Sequence, residues 1–267
     1  MRRLGVVAGV LVCVLLAAPL MAQQRFAWPQ GKQVAVSLSF DDARASQVTR
    51  GLDVLARHKA KVTFYVNPRS MERQLESWKR AAKEGHEIGN HSLTHPCSGN
   101  LAFARNRALE EFTAARFGED VDEGKRLIES MLGVKATTFA YPCGSKFVGR
   151  GVNTQSTVPL VAQRYLAGRG FRDEAANDPT FVDLAQVLGV DSDGMSFEQM
   201  KAAVDRARAN NGWLVLAGHE IGEPGNQTTQ AAALEELLRY AVDPANGVWL
   251  ETVERVARYV QERGGRK

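Results

Sequence analysis

Two histidines have a spacing that suits a shared metal ion. The chain contains five histidines, and His91 and His95 lie four residues apart in Gly89-Asn-His-Ser-Leu-Thr-His-Pro96. On a helical turn this spacing places both imidazole rings on one face, where they can bind one divalent cation. The zinc-peptidase form of the pattern has Glu directly after the first His, so Ser92 argues against that class. Two helical histidines without a metal remain an alternative at this point.

A pair of adjacent carboxylates gives the histidines a possible partner. The segment Ser39-Phe-Asp-Asp-Ala43 contains Asp41 and Asp42, directly after an alternating run that predicts a strand. Neighbouring carboxylates repel each other unless a cation or hydrogen bonds offset the repulsion. One carboxylate and two histidines leave coordination positions open for water and substrate, as catalytic metal sites require. Asp and His ligands suit zinc, cobalt or manganese.

These segments, together with two later ones, resemble the motifs of a known family. Phe139-Ala-Tyr-Pro-Cys-Gly144 and Leu216-Ala-Gly-His219 follow the aspartate and histidine motifs along the chain. In this order and at these separations, the four motifs resemble those of the polysaccharide deacetylases, the NodB-homology, carbohydrate esterase family 4-like proteins. The resemblance covers most of the chain after its first twenty-two residues.

The resemblance implies a role for each motif residue. Asp42, His91 and His95 would bind a divalent metal, with zinc expected and cobalt or manganese also suited. Asp41 would act as the general base, a metal-bound water as the nucleophile and His219 as the general acid. The backbone N–H of Cys143 would stabilise the oxyanion. The resemblance also implies a distorted (β/α) barrel fold.

A carboxylate that orients His219 is expected in Gly189-Val-Asp-Ser-Asp193. Asp191 falls where the family carries such a residue, and we name it as the partner of His219. The alternatives are that Asp191 only forms an Asx turn before a helix, or that Asp193 is the partner. His86 is expected to be a buried structural histidine, because the other three residues already fill the metal site of the family.

The chain departs from the family pattern beside the catalytic aspartate. Many members have Arg where this chain has Ala140, and that Arg hydrogen-bonds the base. Loss of this cation predicts a higher pKa for Asp41 than in those members. Four arginines follow this motif, and salt bridges are the favoured role for most of them, with contact to an acidic glycan as the alternative: Arg150, Arg164, Arg169 and Arg172.

The predicted elements place these residues on one face of an α/β fold. Strands are predicted at residues 34–40, 62–66, 87–88, 137–141, 186–191, 213–217 and 248–250, with helices between them, including one over residues 105–131. Alternating strands and helices predict a parallel sheet, and about seven units predict a closed or nearly closed barrel. The candidate residues each follow a predicted strand, which is where barrel enzymes carry their active sites.

The chain ends and the cysteines indicate an exported protein. Residues 1–22 combine Arg2 and Arg3, an apolar run and small residues before position 23, which predicts a signal peptide, with a retained membrane anchor as the alternative. Residues 23–267 are then expected to form one catalytic domain. Without the two leader arginines the net charge of +4 becomes +4 − 2 = +2, which gives little support for a nucleic-acid partner. No membrane association is expected after cleavage.

Two cysteines remain after the predicted leader is removed, Cys97 and Cys143. Each directly follows a motif, so the cysteines converge if the motifs do. In an oxidising compartment they could form a disulfide, and two separate thiols are the other outcome.

The sequence therefore predicts a secreted or periplasmic, metal-dependent hydrolase that removes N- or O-linked acetyl groups from a polysaccharide or oligosaccharide. Two alternatives remain. One is a hydrolase of small amides or imides with the same fold, and the other is a non-catalytic carbohydrate-binding relative.

Overall fold

The computed structural model describes residues 25–264. The predicted signal peptide lies outside this range, and the single catalytic domain stays a prediction. Within the described range, no helix is long and apolar enough to cross a membrane.

Twelve strands and eight α-helices are present among the described residues. The strands are β1 (Val34–Asp41), β2 (Thr63–Val66), β3 (Glu87–Asn90), β4 (Thr138–Ala140), β5 (Phe147–Val148), β6 (Gln155–Ser156), β7 (Ala167–Arg169), β8 (Val190–Asp191), β9 (Trp213–Gly218), β10 (Glu220–Gly222), β11 (Thr228–Gln230) and β12 (Val248–Leu250). The helices are α1 (Leu52–Arg57), α2 (Pro68–Met71), α3 (Leu75–Lys83), α4 (Ala114–Leu132), α5 (Val158–Arg164), α6 (Phe197–Ala209), α7 (Ala231–Val242) and α8 (Val253–Gly264).

The main sheet is parallel and curled into a distorted (β/α) barrel, which confirms the predicted fold. Seven strands follow the order β7-β4-β3-β2-β1-β9-β8, and β12 also pairs with β1. Strand β1 accommodates both β12 and β2 because it is eight residues long: β12 pairs with its first residues and β2 with its last. The carboxyl ends of these strands therefore open on one face.

Strand β1 directs Asp41 into the barrel. Val34, Val36, Leu38 and Phe40 belong to the core that includes buried side chains of the surrounding helices. Side chains alternate between the faces of a strand, so Asp41 shares the inner face with Ser37 and Ser39. All eight residues are buried, since both faces of the sheet are covered.

Helix α8 closes the opposite end of the barrel. Its buried residues Val253, Val256 and Val260 pack in one cluster with the inner residues Ala35 and Trp213. The filled end leaves the carboxyl ends of the strands as the open face.

Two predicted elements are shorter than expected, and five strands were not predicted. The helix predicted over residues 105–131 begins at Ala114, after 3-10 turns at Ala102–Arg107 and Leu109–Glu111. Thr113 caps it by accepting a hydrogen bond from Arg116 N. The strand predicted over 186–191 is restricted to β8. The unpredicted strands are β7 of the main sheet and the two short pairs β5-β6 and β10-β11.

Candidate metal centre and catalytic site

Asp42, His91 and His95 lie together at the open face of the barrel. Oδ1 of Asp42 is 3.5 Å from His91 Nε2 and 3.2 Å from His95 Nε2. Tetrahedral coordination at about 2.0–2.2 Å requires neighbouring O and N ligands to be about 3.4 Å apart. The three side chains therefore fit one divalent ion. His91 is buried, whereas Asp42 and His95 are half-buried. The centre is therefore accessible from the cleft, which is the open face at the carboxyl ends of the strands.

Two of the three ligand candidates, Asp42 and His91, are held by a second contact on the far side. Asp42 directs its other oxygen, Oδ2, to Arg44 Nη2 at 2.9 Å. His91 Nδ1 lies 2.9 Å from the carbonyl oxygen of Ala140, which suits donation from Nδ1 and leaves the Nε2 lone pair for a metal. Burial lowers the pKa of His91 to about 4, so the ring is neutral at neutral pH.

The two histidines do not share a helix, which corrects the prediction of a helical turn. Residues 91–95 form a bend in which Ser92 and His95 have positive φ angles of 65° and 52°. Asp120 of α4 fixes this bend by accepting hydrogen bonds from Leu93 N and Thr94 N, at 3.0 and 3.3 Å. The bend brings the imidazole centroids to 4.8 Å, so the rings converge without helical geometry.

Asp41 has an arginine partner, although Ala140 replaces the arginine of the family motif. Arg169 of β7 is fully buried and donates from Nη2 to Asp41 Oδ1. Arg169 stands directly opposite Ala140 in the register of β4 and β7, so the guanidinium comes from the neighbouring strand. Burial alone would raise the pKa of Asp41, but the charges of Arg169, His91 and His219 outweigh it and lower the pKa. The premise of the predicted higher pKa, the absence of a cation beside Asp41, was therefore wrong.

The other three arginines of this region form salt bridges at the surface, as expected. Arg150 pairs with Glu111 at 2.5 Å, Arg164 with Asp122 at 2.8 Å and Arg172 with Asp191 at 3.2 Å.

The partner of His219 is Asp193, and the choice of Asp191 was wrong. Asp193 Oδ2 lies 2.6 Å from His219 Nδ1, while Asp193 Oδ1 accepts a hydrogen bond from His219 N. Asp191 instead accepts from Asp193 N through Oδ1, which is an Asx turn, and pairs with Arg172 through Oδ2. Burial alone would lower the pKa of His219, but the hydrogen bond to Asp193 and the nearby carboxylates raise it.

A buried glutamine joins the two catalytic candidates and was missed in the sequence. Gln47 Nε2 donates to the carbonyl oxygens of Asp41, at 2.6 Å, and His219, at 2.9 Å. It therefore ties the end of β1 to the end of β9. No motif signals this contact, because it involves backbone atoms that only the fold brings together.

Cys97 and Cys143 form a disulfide bond, with Cα atoms 5.9 Å apart. The bond connects the loop after His95 to the turn Pro142–Gly144, in which Cys143 has a φ of 55°. His86 is buried and accepts a hydrogen bond from Val62 N through Nδ1, which agrees with the structural role expected for it.

The parallel barrel has carboxylates and histidines converging at its carboxyl-terminal face, which is where (β/α)-barrel enzymes carry their active sites. Residues 29–157 match the family model for polysaccharide deacetylases, and this part of the chain belongs to that family.

Two curated relatives are similar to this chain in sequence, and one solved structure is similar to it in fold. The peptidoglycan-N-acetylglucosamine deacetylase PgdA of Listeria monocytogenes is 45% identical over 62 residues, which cover 23% of this chain and 13% of PgdA. The peptidoglycan-N-acetylmuramic acid deacetylase PdaC of Bacillus subtilis is 26% identical over 234 residues, covering 86% of this chain and 40% of PdaC. A crystal structure described as a "probable Polysaccharide deacetylase" from Pseudomonas aeruginosa PAO1 has a TM-score of 0.66 at 15% identity, covering 90% and 95% of the two chains. The first curated relatives are much longer, and the chain spans 10% to 26% of their length.

Proposed function

We propose that the chain is an exported, metal-dependent deacetylase that hydrolyses N- or O-linked acetyl groups of a polysaccharide. The main support is that Asp42 Oδ1 lies at a distance from His91 Nε2 and His95 Nε2 that suits shared metal coordination, with Asp41 beside them. Export rests on the predicted signal peptide, and the disulfide agrees with an oxidising compartment.

The donor set of one carboxylate and two neutral imidazoles suits zinc, with cobalt and manganese also accommodated. When bound, such a cation lowers the pKa of a coordinated water to about 7 and polarises a carbonyl group.

Asp41 is proposed to accept the proton of the attacking water. Arg169 occupies Oδ1, so Oδ2 is the oxygen that remains for this task, and it faces the metal ligands at 3.9 Å from His91 Nε2. The lowered pKa keeps Asp41 ionised at neutral pH. A weak base suffices, because the proton it takes has already been made acidic.

His219 is proposed to protonate the leaving amine or alcohol. Asp193 faces Nδ1, which fixes the proton on that nitrogen and directs Nε2 towards the cleft. The raised pKa increases the fraction of protonated imidazole that can donate from Nε2.

The turn at Cys143 is proposed to stabilise the developing oxyanion. Its backbone N–H is available whatever side chain residue 143 carries, and the disulfide fixes this turn to the loop of His95. A fixed donor costs no reorganisation during the reaction.

Acetate release from a panel of acetylated glycans tests this function. Purified, metal-loaded protein is incubated with peptidoglycan, chitin oligomers, acetylated xylan and a small acetamide. We expect release from at least one glycan, and its loss when a chelator removes the metal. Release that survives complete metal removal would exclude the mechanism, and release from the acetamide alone would favour the small-amide alternative.

Two variants separate the role of the base from that of a ligand. Asp41→Asn is expected to lower turnover by about 10²- to 10⁴-fold while the metal content stays unchanged. His91→Ala is expected to lose the metal as well as the activity. Metal content is measured by elemental analysis on folded protein. A His91→Ala protein that keeps its metal would show that the ligand set is wrong.

A further inference from the structure

The disulfide lies in direct contact with one of the candidate metal ligands. His95 directs Nε2 to Asp42 and Nδ1 to the sulfur of Cys97, which is 3.6 Å away. His91 differs, because its Nδ1 faces a carbonyl oxygen. The imidazole of His95 is thus placed between a carboxylate and a pair of sulfur atoms.

His95 Nδ1 and the two sulfur atoms are arranged as a second set of metal ligands. The three atoms all lie within 4.8 Å of one another. Across a tetrahedral zinc ion, N and S ligands are about 3.5 Å apart and two S ligands about 3.8 Å, given Zn–N of about 2.0 Å and Zn–S of about 2.3 Å. The separation of His95 Nδ1 and Cys97 Sγ already meets the first condition. The second requires only that the S–S bond be broken and the sulfurs move apart.

We propose that reduction of the disulfide creates a second divalent-metal site, formed by His95 Nδ1, Cys97 Sγ and Cys143 Sγ. The site would take thiophilic ions such as zinc, cobalt or cadmium, because thiolates are soft ligands. His95 and Cys143 are half-buried, so the cluster is reached from the cleft. Cys97 is fully buried and fixes the inner side of the site.

The chemistry is balanced with a phosphine as the reductant. Its phosphorus attacks one sulfur, the S–S bond breaks, and water supplies the oxygen of the phosphine oxide and the two protons of the resulting thiols. The metal ion then replaces both thiol protons, which pass to solvent, because a coordinating thiol is deprotonated.

The new site competes with the hydrolytic centre for His95. A neutral imidazole has one nitrogen with a free lone pair, so His95 serves one centre at a time. Capture at Nδ1 places the proton on Nε2, so Nε2 can no longer bind the metal ion of the hydrolytic centre. This competition rests on the proposed function, whereas the thiolate site itself does not.

Cobalt spectroscopy tests the site without using activity. All samples of the full-length protein carry Cys13→Ser, so that Cys97 and Cys143 are the only cysteines in the sequence. We expect cobalt to give a near-ultraviolet thiolate-to-cobalt charge-transfer band with the reduced protein and none with the oxidised protein. The band should persist in Asp42→Asn, which leaves the thiolate cluster intact, and be absent in Cys97→Ser.

Several results would overturn the proposal. One is a folded, reduced protein with two titratable thiols and no band, and another is an equally strong band of equal affinity in His95→Ala. Loss of the fold on reduction, detected by circular dichroism, would also overturn it, because the cluster depends on the fold.

Acetate release then separates this inference from the proposed function. At one equivalent of zinc, the reductant should inhibit the protein that retains Cys97 and Cys143. The same reductant should not change the rate of a Cys97→Ser/Cys143→Ser protein. Equal responses of the two proteins would overturn the competition. A charge-transfer band in a protein whose oxidised form releases no acetate would support the thiolate site and contradict the proposed function.

Discussion

At the scale of single residues, the proton on His219 depends on which of two nearby aspartates contacts it. Asp193 contacts His219 twice, through Nδ1 and the backbone N–H, and its Oδ1 also accepts a hydrogen bond from Thr229. Asp191 is only two residues away but contacts Arg172 at the surface. The two aspartates therefore form a matched pair for mutation.

Asp193→Asn is expected to lower turnover by about 10²-fold or more, since loss of the carboxylate destabilises the protonated imidazole and its tautomer. Asp191→Asn should leave turnover within about twofold, in line with the small energies of exposed ion pairs. The measurement is acetate release with metal content determined in parallel. Equal effects of the two substitutions would contradict the assignment of Asp193.

Residue types and spacing identified the motif residues but not their supporting contacts. The convergence of Asp41, Asp42, His91, His95 and His219 could be predicted because their motifs resemble those of a known family and follow predicted strands. The contact of Arg169 with Asp41 could not be predicted, because it depends on the register of β4 against β7. The choice of Asp191 failed for a similar reason: the end of β8 and the following turn decide which carboxylate faces His219.

At the scale of elements, α4 holds the bend of residues 91–95 through a close approach at Gly124. A Cβ added at Gly124 would meet Leu93 N and the carbonyl carbon of Ser92, both at 2.9 Å. Gly118 on the same helix faces only the ends of flexible side chains, Leu160 at 3.1 Å and Arg164 at 3.4 Å. The close backbone contact therefore requires glycine at position 124. Position 118 has no such requirement, because its neighbours are flexible side chains.

Gly124→Ala is expected to lower the free energy of unfolding by about 1–3 kcal/mol, the usual cost of overpacking, because the bend must move. Displacement of His91 and His95 should also weaken metal binding about tenfold or more. Gly118→Ala should leave metal binding unchanged and raise stability by up to about 1 kcal/mol through helix propensity. Urea unfolding and metal titration of both variants provide the measurement. Weaker metal binding in Gly118→Ala than in Gly124→Ala would refute this account.

A buried glutamate connects several elements at the closed end of the barrel. Glu87, the first residue of β3, accepts hydrogen bonds from Thr63 of β2, at 2.7 Å, from Thr138 of β4, and from Glu254 N in the first turn of α8, at 2.8 Å. Burial raises the pKa of Glu87 to about 7, and these hydrogen bonds offset only part of the effect.

Glu87 is expected to make the protein less stable as the pH rises from 5 to 8. Its folded-state pKa of about 7 lies above the ordinary glutamate value of 4.5, so the folded state binds the proton more tightly. Its contribution is complete below the unfolded pKa and is lost as the pH rises through the folded pKa, a change of about 3 kcal/mol. Buried His86, whose pKa burial lowers to about 4, acts in the opposite sense, so comparison with a variant is required.

Glu87→Gln supplies this comparison. The amide fits the site because the Thr138 hydroxyl can rotate to accept from it. We expect urea unfolding between pH 5 and pH 8 to show a loss of stability in the wild type, relative to the variant, of about 3 kcal/mol. Parallel pH dependence in the two proteins would show that Glu87 does not titrate in this range.

At the scale of the whole molecule, alternation along the chain predicted the barrel, but not how it is closed. The long buried strands β1 and β9 have strong patterns, whereas β8 is two residues long and depends on its neighbours. The edges meet through Val187, which bridges to Arg169 of β7 just before the chain enters β8 beside β9. Such contacts are set by tertiary packing, which local propensity does not encode.

The ion pair of Arg169 and Asp41 spans the interior between β7 and β1, and so links the edge of the sheet to its centre. Both side chains are buried, at 0% and 4% exposure. Removing one partner leaves an uncompensated buried charge, so Arg169→Met and Asp41→Asn should each lower the free energy of unfolding by about 3–5 kcal/mol. The double variant removes both charges, and its loss should be smaller than the sum of the single losses by about 2 kcal/mol or more. Urea unfolding of the four proteins with a chelator present measures this coupling for the apoprotein. Additive losses would mean that the ion pair does not stabilise the fold. A large coupling would show that Arg169, which lowers the pKa of Asp41, also stabilises the barrel.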